Sequence, residues 1–84
     1  MTTIKVIIPA YNEGKSIALV IEKIPKEVDE VIVVNNNSAD DTAANAANAG
    51  ATVLQENRKG YGYACLKGLD YIANSKIKPD IIVF

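Results

Sequence analysis

Four short apolar runs, separated by three stretches of helical periodicity, constrain this chain more than any other feature. The runs are Ile4-Lys5-Val6-Ile7-Ile8, Val31-Ile32-Val33-Val34, Ala51-Thr52-Val53-Leu54 and Asp80-Ile81-Ile82-Val83-Phe84. β-Branched runs of this kind mark strands covered on both faces. The first is expected to stop at Pro9. Ile17, Val20, Ile21 and Ile24 then recur at i, i+3, i+4 and i+7, one apolar helix face that Pro25 ends. A second helix is rich in Ala (43, 44, 46, 47, 49) and meets Gly50, a suitable stop. Ser38 with Asp41 three residues later resembles a capping box at its start. Tyr61, Cys65, Leu69 and Ile72 mark the inner face of a third helix, which Asn74 and Ser75 end. The order βαβαβαβ implies right-handed crossovers, hence a parallel sheet with helices on both faces. The expected fold is a Rossmann-like, three-layer α/β sheet of order 3-2-1-4. Its ligand crevice belongs beyond the carboxyl ends of the strands.

Composition narrows the function. Apolar residues are 49% and charged residues 23%, a globular rather than a disordered balance. Lys plus Arg is 9 against 10 Asp plus Glu, a net charge of −1. General nucleic-acid binding relies on a strong basic excess and is excluded. The charge is uneven: residues 1–42 carry 4 basic and 7 acidic groups, residues 43–84 carry 5 and 3. The second half, at +2, favours an anion. There is no His, which excludes His catalysis and His metal ligands. A single Cys65 excludes an intrachain disulfide and a Cys-cluster zinc site. It reads as a small core residue, because no His stands by to activate it. No apolar run is long enough for a membrane span. The first strand pattern begins at Ile4, leaving no room for a secretory leader, so a reducing, cytoplasmic setting is expected.

Three polar loops, residues 9–14, 35–41 and 55–62, reach the carboxyl edge of the sheet. In the first, Tyr11 offers a flat ring for stacking on a base, and Glu13 accepts hydrogen bonds from ribose hydroxyls. The plain alternative is an ordinary strand-to-helix turn. In the second, Asn35, Asn36 and Asn37 follow a buried strand. An amide donates and accepts, which suits it to a base edge, although Asn and Ser are also common turn formers. In the third, Arg58, Lys59 and Gly60 stand before a helix N-terminus, a combination that suits a phosphate as well as a solvated turn. The dinucleotide fingerprint fits poorly: Gly60-x-Gly62 is followed by Cys65, and it lies outside the first βα turn. Tyr63 and Tyr71 read as surface or packing residues.

Three stretches together, Val6-Ile-Ile-Pro-Ala-Tyr-Asn-Glu13, Val31-Ile-Val-Val-Asn-Asn-Asn-Ser-Ala-Asp-Asp-Thr42 and Arg58-Lys-Gly-Tyr-Gly-Tyr-Ala64, resemble family 2 glycosyltransferases. The chain is similar to the N-terminal part of that catalytic domain, including the branch that contains dolichyl-phosphate mannosyltransferase. The resemblance implies the first half of a nucleotide-diphospho-sugar transferase fold. It implies transfer of a sugar from a UDP- or GDP-linked donor to an acceptor hydroxyl. Pro9, Ala10, Tyr11 and Glu13 would hold base and ribose. Asn35 and Asn36 take the place of an Asp pair whose second member contacts the base. Arg58, Lys59 and Gly60 would lie near the nucleotide. Restoring Asp at position 36 is expected to keep or improve the base contact through a charge-assisted hydrogen bond.

The resemblance also sets what is expected to be missing. Residues 1–84 read as a partial catalytic domain, the donor-nucleotide half, ending just before an Asp-x-Asp motif that binds Mg or Mn. No catalytic residue and no metal ligand is therefore assigned within the chain, and the fragment at most binds nucleotide. A stand-alone, non-catalytic nucleotide-binding or interaction module is the alternative. Association of the complete protein with the cytoplasmic membrane face is left open. The last strand lacks a Lys or Pro to block pairing, so self-association through Ile81–Phe84 is expected.

Overall fold

A computed structural model describes residues 2–76 and 78–84. Strands β1 (Ile4–Ala10), β2 (Glu30–Asn35), β3 (Thr52–Gln55) and β4 (Ile81–Val83) alternate with helices α1 (Ile17–Glu22), α2 (Thr42–Asn48) and α3 (Tyr61–Ala73). All pairings are parallel and the order is β3-β2-β1-β4, as the sequence implied. Successive strand residues face opposite sides, which splits the core in two. Ile7, Ile32 and Val34 pack with Ala64 and Ile72 of α3. Ala10 and Val33 pack with Ile17 and Ile21 of α1 and Ala46 of α2 on the other face.

Several local features differ from the sequence reading. β1 runs through Pro9 to Ala10, with Pro9 opposite Val34. Ala10 O accepts the Asn36 N–H on the β2 side, so the neighbouring Pro9 turns its missing donor to the β4 side. Pairing with β4 covers only Ile4–Val6, and no ladder bond is lost. α1 ends at Glu22, before Pro25, and Val20 is exposed rather than buried. The buried face of α3 is Ala64, Gly68 and Ile72, whereas Tyr61 is 66% exposed. Ile72 and Leu69 of the expected stripe do join the core, but Ala64 and Gly68 take the place of Tyr61 and Cys65 because α3 lies hard against β1. A methyl on Gly68 would come within 2.7 Å of Ile7 Cγ2.

The expected capping box does not form, since the N-cap of α2 is Asp41 without a side-chain cap and Ser38 bonds elsewhere. Gly50 does end α2, at φ +99°. The Gly50 N–H donates to Ala47 O at 3.0 Å and the Ala51 N–H to Ala46 O at 3.1 Å, the Schellman pattern.

Candidate functional site

The three polar loops meet at the carboxyl edge, and side chains stitch them together. The Asn12 N–H donates to Ser38 Oγ at 2.9 Å, and Asn12 Oδ1 accepts the Ala39 N–H at 2.8 Å. The Glu13 N–H donates to Thr42 Oγ1 at 2.8 Å and the Gly14 N–H to Asp40 Oδ2 at 3.1 Å. Asp40 Oδ1 also accepts from the Thr42 N–H and hydroxyl. The Thr42 hydroxyl, then the two amides, hold the Asp40 carboxyl below its ordinary value. Asn45 Nδ2 closes the clamp on Gly14 O at 2.8 Å. Asn12 (φ 51°) and Asn37 (φ 60°) both sit in the left-handed region, which Asn tolerates better than most residues.

The third loop is held from two sides. Buried Glu56 grips Arg58 through Oε2···Nε at 3.0 Å and Oε1···Nη2 at 2.9 Å. The Arg58 side-chain and backbone hydrogen bonds hold the Glu56 carboxyl down to about 2. The Arg58 guanidinium also lies 4.4 Å from the Tyr63 ring centroid. From the second loop, Asn36 Nδ2 donates to Glu56 O at 3.0 Å and Arg58 O at 2.7 Å. Asn36 Oδ1 accepts the Gly60 N–H at 3.1 Å.

Two hollows adjoin above this framework. One, of about 330 Å³, is lined by Tyr11, Asn36, Lys59 and Gly60. The other, of about 220 Å³, is lined by Pro9, Ala10, Tyr11, Glu13, Asn36 and Tyr61. Of the nine residues singled out from sequence, seven thus share one crevice: Pro9, Ala10, Tyr11, Glu13, Asn36, Lys59 and Gly60. Asn35 and Arg58 do not line it. Asn35 Nδ2 donates to Gln55 Oε1 at 2.9 Å and its Oδ1 accepts the Ser38 N–H at 3.2 Å. Arg58 is turned to Glu56 and Tyr63.

The hydrogen bonds run against the gain expected of Asp at position 36. A carboxylate there would face two carbonyl oxygens to which the amide now donates. Tyr61 was missed as a crevice residue because helical spacing placed it inside. Its position directly after a glycine turn was the usable signal. Asp40 and Thr42 were missed as well; an Asp two residues before a Thr that opens a helix was their mark.

A parallel sheet with helices on both faces and a polar crevice at its carboxyl edge defines a Rossmann-like α/β protein. More narrowly, the chain belongs to glycosyl transferase family 2, whose model matches residues 5–84. It is 44% identical over 66 residues to an uncharacterised glycosyltransferase of Mycobacterium tuberculosis (strain H37Rv), covering 79% of this chain and 30% of that protein. It is 37% identical over 81 residues to the low-salt glycan biosynthesis hexosyltransferase of Haloferax volcanii, covering 84% of this chain and 20% of that one. Among solved structures it resembles the glucosyl-3-phosphoglycerate synthase of M. tuberculosis, crystallised with Mn2+, UDP-glucose and phosphoglyceric acid. There the TM-score is 0.80 at 33% identity, over 96% of this chain and 31% of that one.

The chain therefore spans between a fifth and a third of the length of these relatives. Among the described residues, no cluster of three or more His, Cys, Asp or Glu can hold a metal ion. Among them, too, no helix is long and apolar enough to cross a membrane.

Proposed function

We propose that residues 1–84 are the donor-nucleotide half of a larger catalytic domain that transfers a sugar from a nucleoside-diphosphate sugar to an acceptor hydroxyl. The observation that carries this reading is the crevice itself: two adjoining hollows at the carboxyl edge share Tyr11 and Asn36, with Glu13 lining one and Lys59 and Gly60 the other. In this reading Tyr11, 56% exposed, stacks on the base, and Glu13 accepts from the ribose hydroxyls. Lys59 and the first turn of α3 face the diphosphate. That turn has no side-chain cap and no acidic residue, so its N–H groups and dipole are open to an anion. In the complete enzyme the acceptor hydroxyl passes its proton to a base outside the described residues as its oxygen bonds to the anomeric carbon and the bond from that carbon to the diphosphate oxygen breaks. The diphosphate departs with its charge countered by the groups that bind it.

UDP is the first ligand to test, because the mycobacterial synthase was crystallised with a UDP sugar. The Mn2+ in that structure has no counterpart ligand set among the described residues, so no step is assigned to a metal here. Titration of UDP and GDP into the 84-residue chain, followed by amide NMR, is the test. Shifts confined to Tyr11, Asn36 and residues 59–61, unchanged by EDTA, are the expected result. No shift at millimolar nucleotide defeats the reading.

The same proposal includes a cytoplasmic setting, in keeping with a single free cysteine. It also includes pairing of two copies along β4, an edge strand whose Ile81, Ile82 and Val83 are exposed with Phe84. Sedimentation checks the last point: Ile82→Lys should shift the chain towards monomer. A chain already monomeric at hundreds of micromolar contradicts it.

A further inference from the structure

We infer that Asn36 is a positioning residue that fixes the Arg58-Lys59-Gly60 turn against the crevice, and that it does not read the base. The inference deepens the proposed function and rests on it for the identity of the ligand. Asn36 is 9% exposed. Both protons of its amide are engaged, on Glu56 O at 3.0 Å and Arg58 O at 2.7 Å, and its oxygen holds the Gly60 N–H at 3.1 Å. Its own N–H is fixed on Ala10 O at 2.8 Å. No donor is left for a base, and one lone pair of Oδ1 is all that remains of the side chain's hydrogen-bonding capacity.

The three partners are every second residue of one turn: 56, 58 and 60. One planar amide thus templates the whole turn and holds Gly60 at φ 128°, a conformation that side-chain-bearing residues rarely adopt. Lys59 stands between the two anchored residues, so its direction into the crevice depends on Asn36. An Asp is nearly isosteric but, once ionised, has no proton to donate. It keeps the bond from Gly60 and sets a charged oxygen against two carbonyls.

The two roles give opposite responses to pH in Asn36→Asp. As a positioning residue, the variant binds UDP about tenfold more weakly than the parent at neutral pH, the order expected when one buried and one partly buried carbonyl lose their donors. Acid restores it in part, because a protonated carboxyl donates one hydrogen bond. As a base reader, the variant binds more tightly at neutral pH and loses the gain in acid. The titratable and charged groups around position 36 are Tyr11 and Glu13 on the first loop, Glu56, Arg58 and Lys59 on the third, and Tyr61 on α3. Glu56, at about 2, keeps its charge through the ordinary carboxyl range. The parent chain, titrated at each pH, corrects for Glu13 and for the nucleotide's own phosphate.

Amide NMR of the ligand-free chain supplies an arm that needs no nucleotide. In Asn36→Asp at neutral pH, the amides of residues 56–61 should shift and lose exchange protection while those of Ile32–Val34 keep theirs. They should move back towards the parent spectrum on acidification. If that variant does not fold, Asn36→Ala is read in the same way at one pH. Loop amides that match the parent in the folded variant overturn the inference, as does tighter UDP binding at neutral pH. Failure of the parent to bind any nucleotide defeats the proposed function instead, and the loop amides still decide the role of Asn36.

Discussion

The two ends of the sheet are both polar, and they treat their polar atoms differently. At the amino edge, Lys5 Nζ meets Glu30 Oε1 at 3.0 Å, and Glu30 Oε2 accepts from the Tyr71 and Thr52 hydroxyls, each at 2.7 Å. Burial alone pushes the Glu30 carboxyl up, but the hydrogen bonds from Thr52, Tyr71 and Lys5 together hold it below the ordinary value. The network is closed. A hollow of about 740 Å³ lies beside it, larger than either hollow of the crevice. At the carboxyl edge, Asn35, Asn36, Asp40, Thr42 and Arg58 form an equally closed framework. That framework carries Tyr11, Glu13, Lys59 and Tyr61 outward, with Glu13 taking one hydrogen bond from Ser16. Size of hollow does not distinguish the ends. What distinguishes them is whether groups with binding chemistry are left facing solvent.

The largest expected effect breaks the closed end. Glu30→Ala leaves the Lys5 ammonium, 8% exposed, without its partner, and two hydroxyls without their acceptor. A loss of about 3 kcal/mol in urea unfolding follows from stranding a buried charge. UDP affinity of the folded variant should not change, since no crevice residue touches this network. Equal losses of stability and affinity would show that the two ends are coupled. The second effect strikes the open end: Tyr11→Ala should cost about 1–3 kcal/mol of nucleotide affinity, one base–aromatic stack. Its stability should stay within about 0.5 kcal/mol of the parent, because the ring is largely exposed. Calorimetric titration beside urea unfolding checks both halves.

The third tests the framework between. A methyl at Gly14 would stand 2.9 Å from Asp40 Oδ2 and 3.2 Å from its Cγ. Gly14→Ala should therefore displace Asp40 from the Gly14 and Thr42 amides and lower stability by about 1 kcal/mol, with weaker UDP binding. Unchanged exchange protection at Glu13, Gly14 and Thr42 would count against the clamp.

Strand order was legible in the sequence because it follows from the period of the apolar runs and the hand of the crossovers. The membership of the loops was legible too: seven of nine chosen residues line one crevice. The work of each residue was not. Asn35, Asn36 and Asn37 read as one polar run, yet the first bridges Gln55 and Ser38, the second templates a turn, and the third supplies a left-handed backbone. Composition cannot separate these roles, because they are fixed by which strand end each residue meets. The inner stripe of α3 was read correctly at Leu69 and Ile72 and misread in its first turns for a related reason. Hydrophobicity pointed to Tyr61 and Cys65, whereas the close approach to Ile7 required Ala64 and Gly68. Tyr71 was read as an ordinary surface or packing residue because its partner, Glu30, lies 41 positions away.

The smallest effect separates the two adjacent cations of the third loop. Arg58 is bound to Glu56, and Lys59 lines the crevice. Glu56 has its folded value lowered from 4.5 to about 2, chiefly by the side-chain and backbone hydrogen bonds of Arg58. A lowered carboxyl contributes stability that is complete above the unfolded value and is lost as pH falls towards the folded one. The window is therefore about 4.5 down to about 2. Arg58→Ala should flatten the fall in urea midpoint across that window relative to the parent, while UDP affinity at neutral pH stays nearly the same. Lys59→Ala should leave the acid limb as it is and weaken UDP binding a few-fold, the scale of one exposed charge contact. Comparing the two variants with the parent cancels every other carboxylate that titrates in the same range. An Arg58→Ala chain that loses as much affinity as Lys59→Ala would mean that Arg58 leaves Glu56 for the diphosphate when nucleotide binds. The division between framework and ligand-facing groups would then be a property of the empty crevice alone.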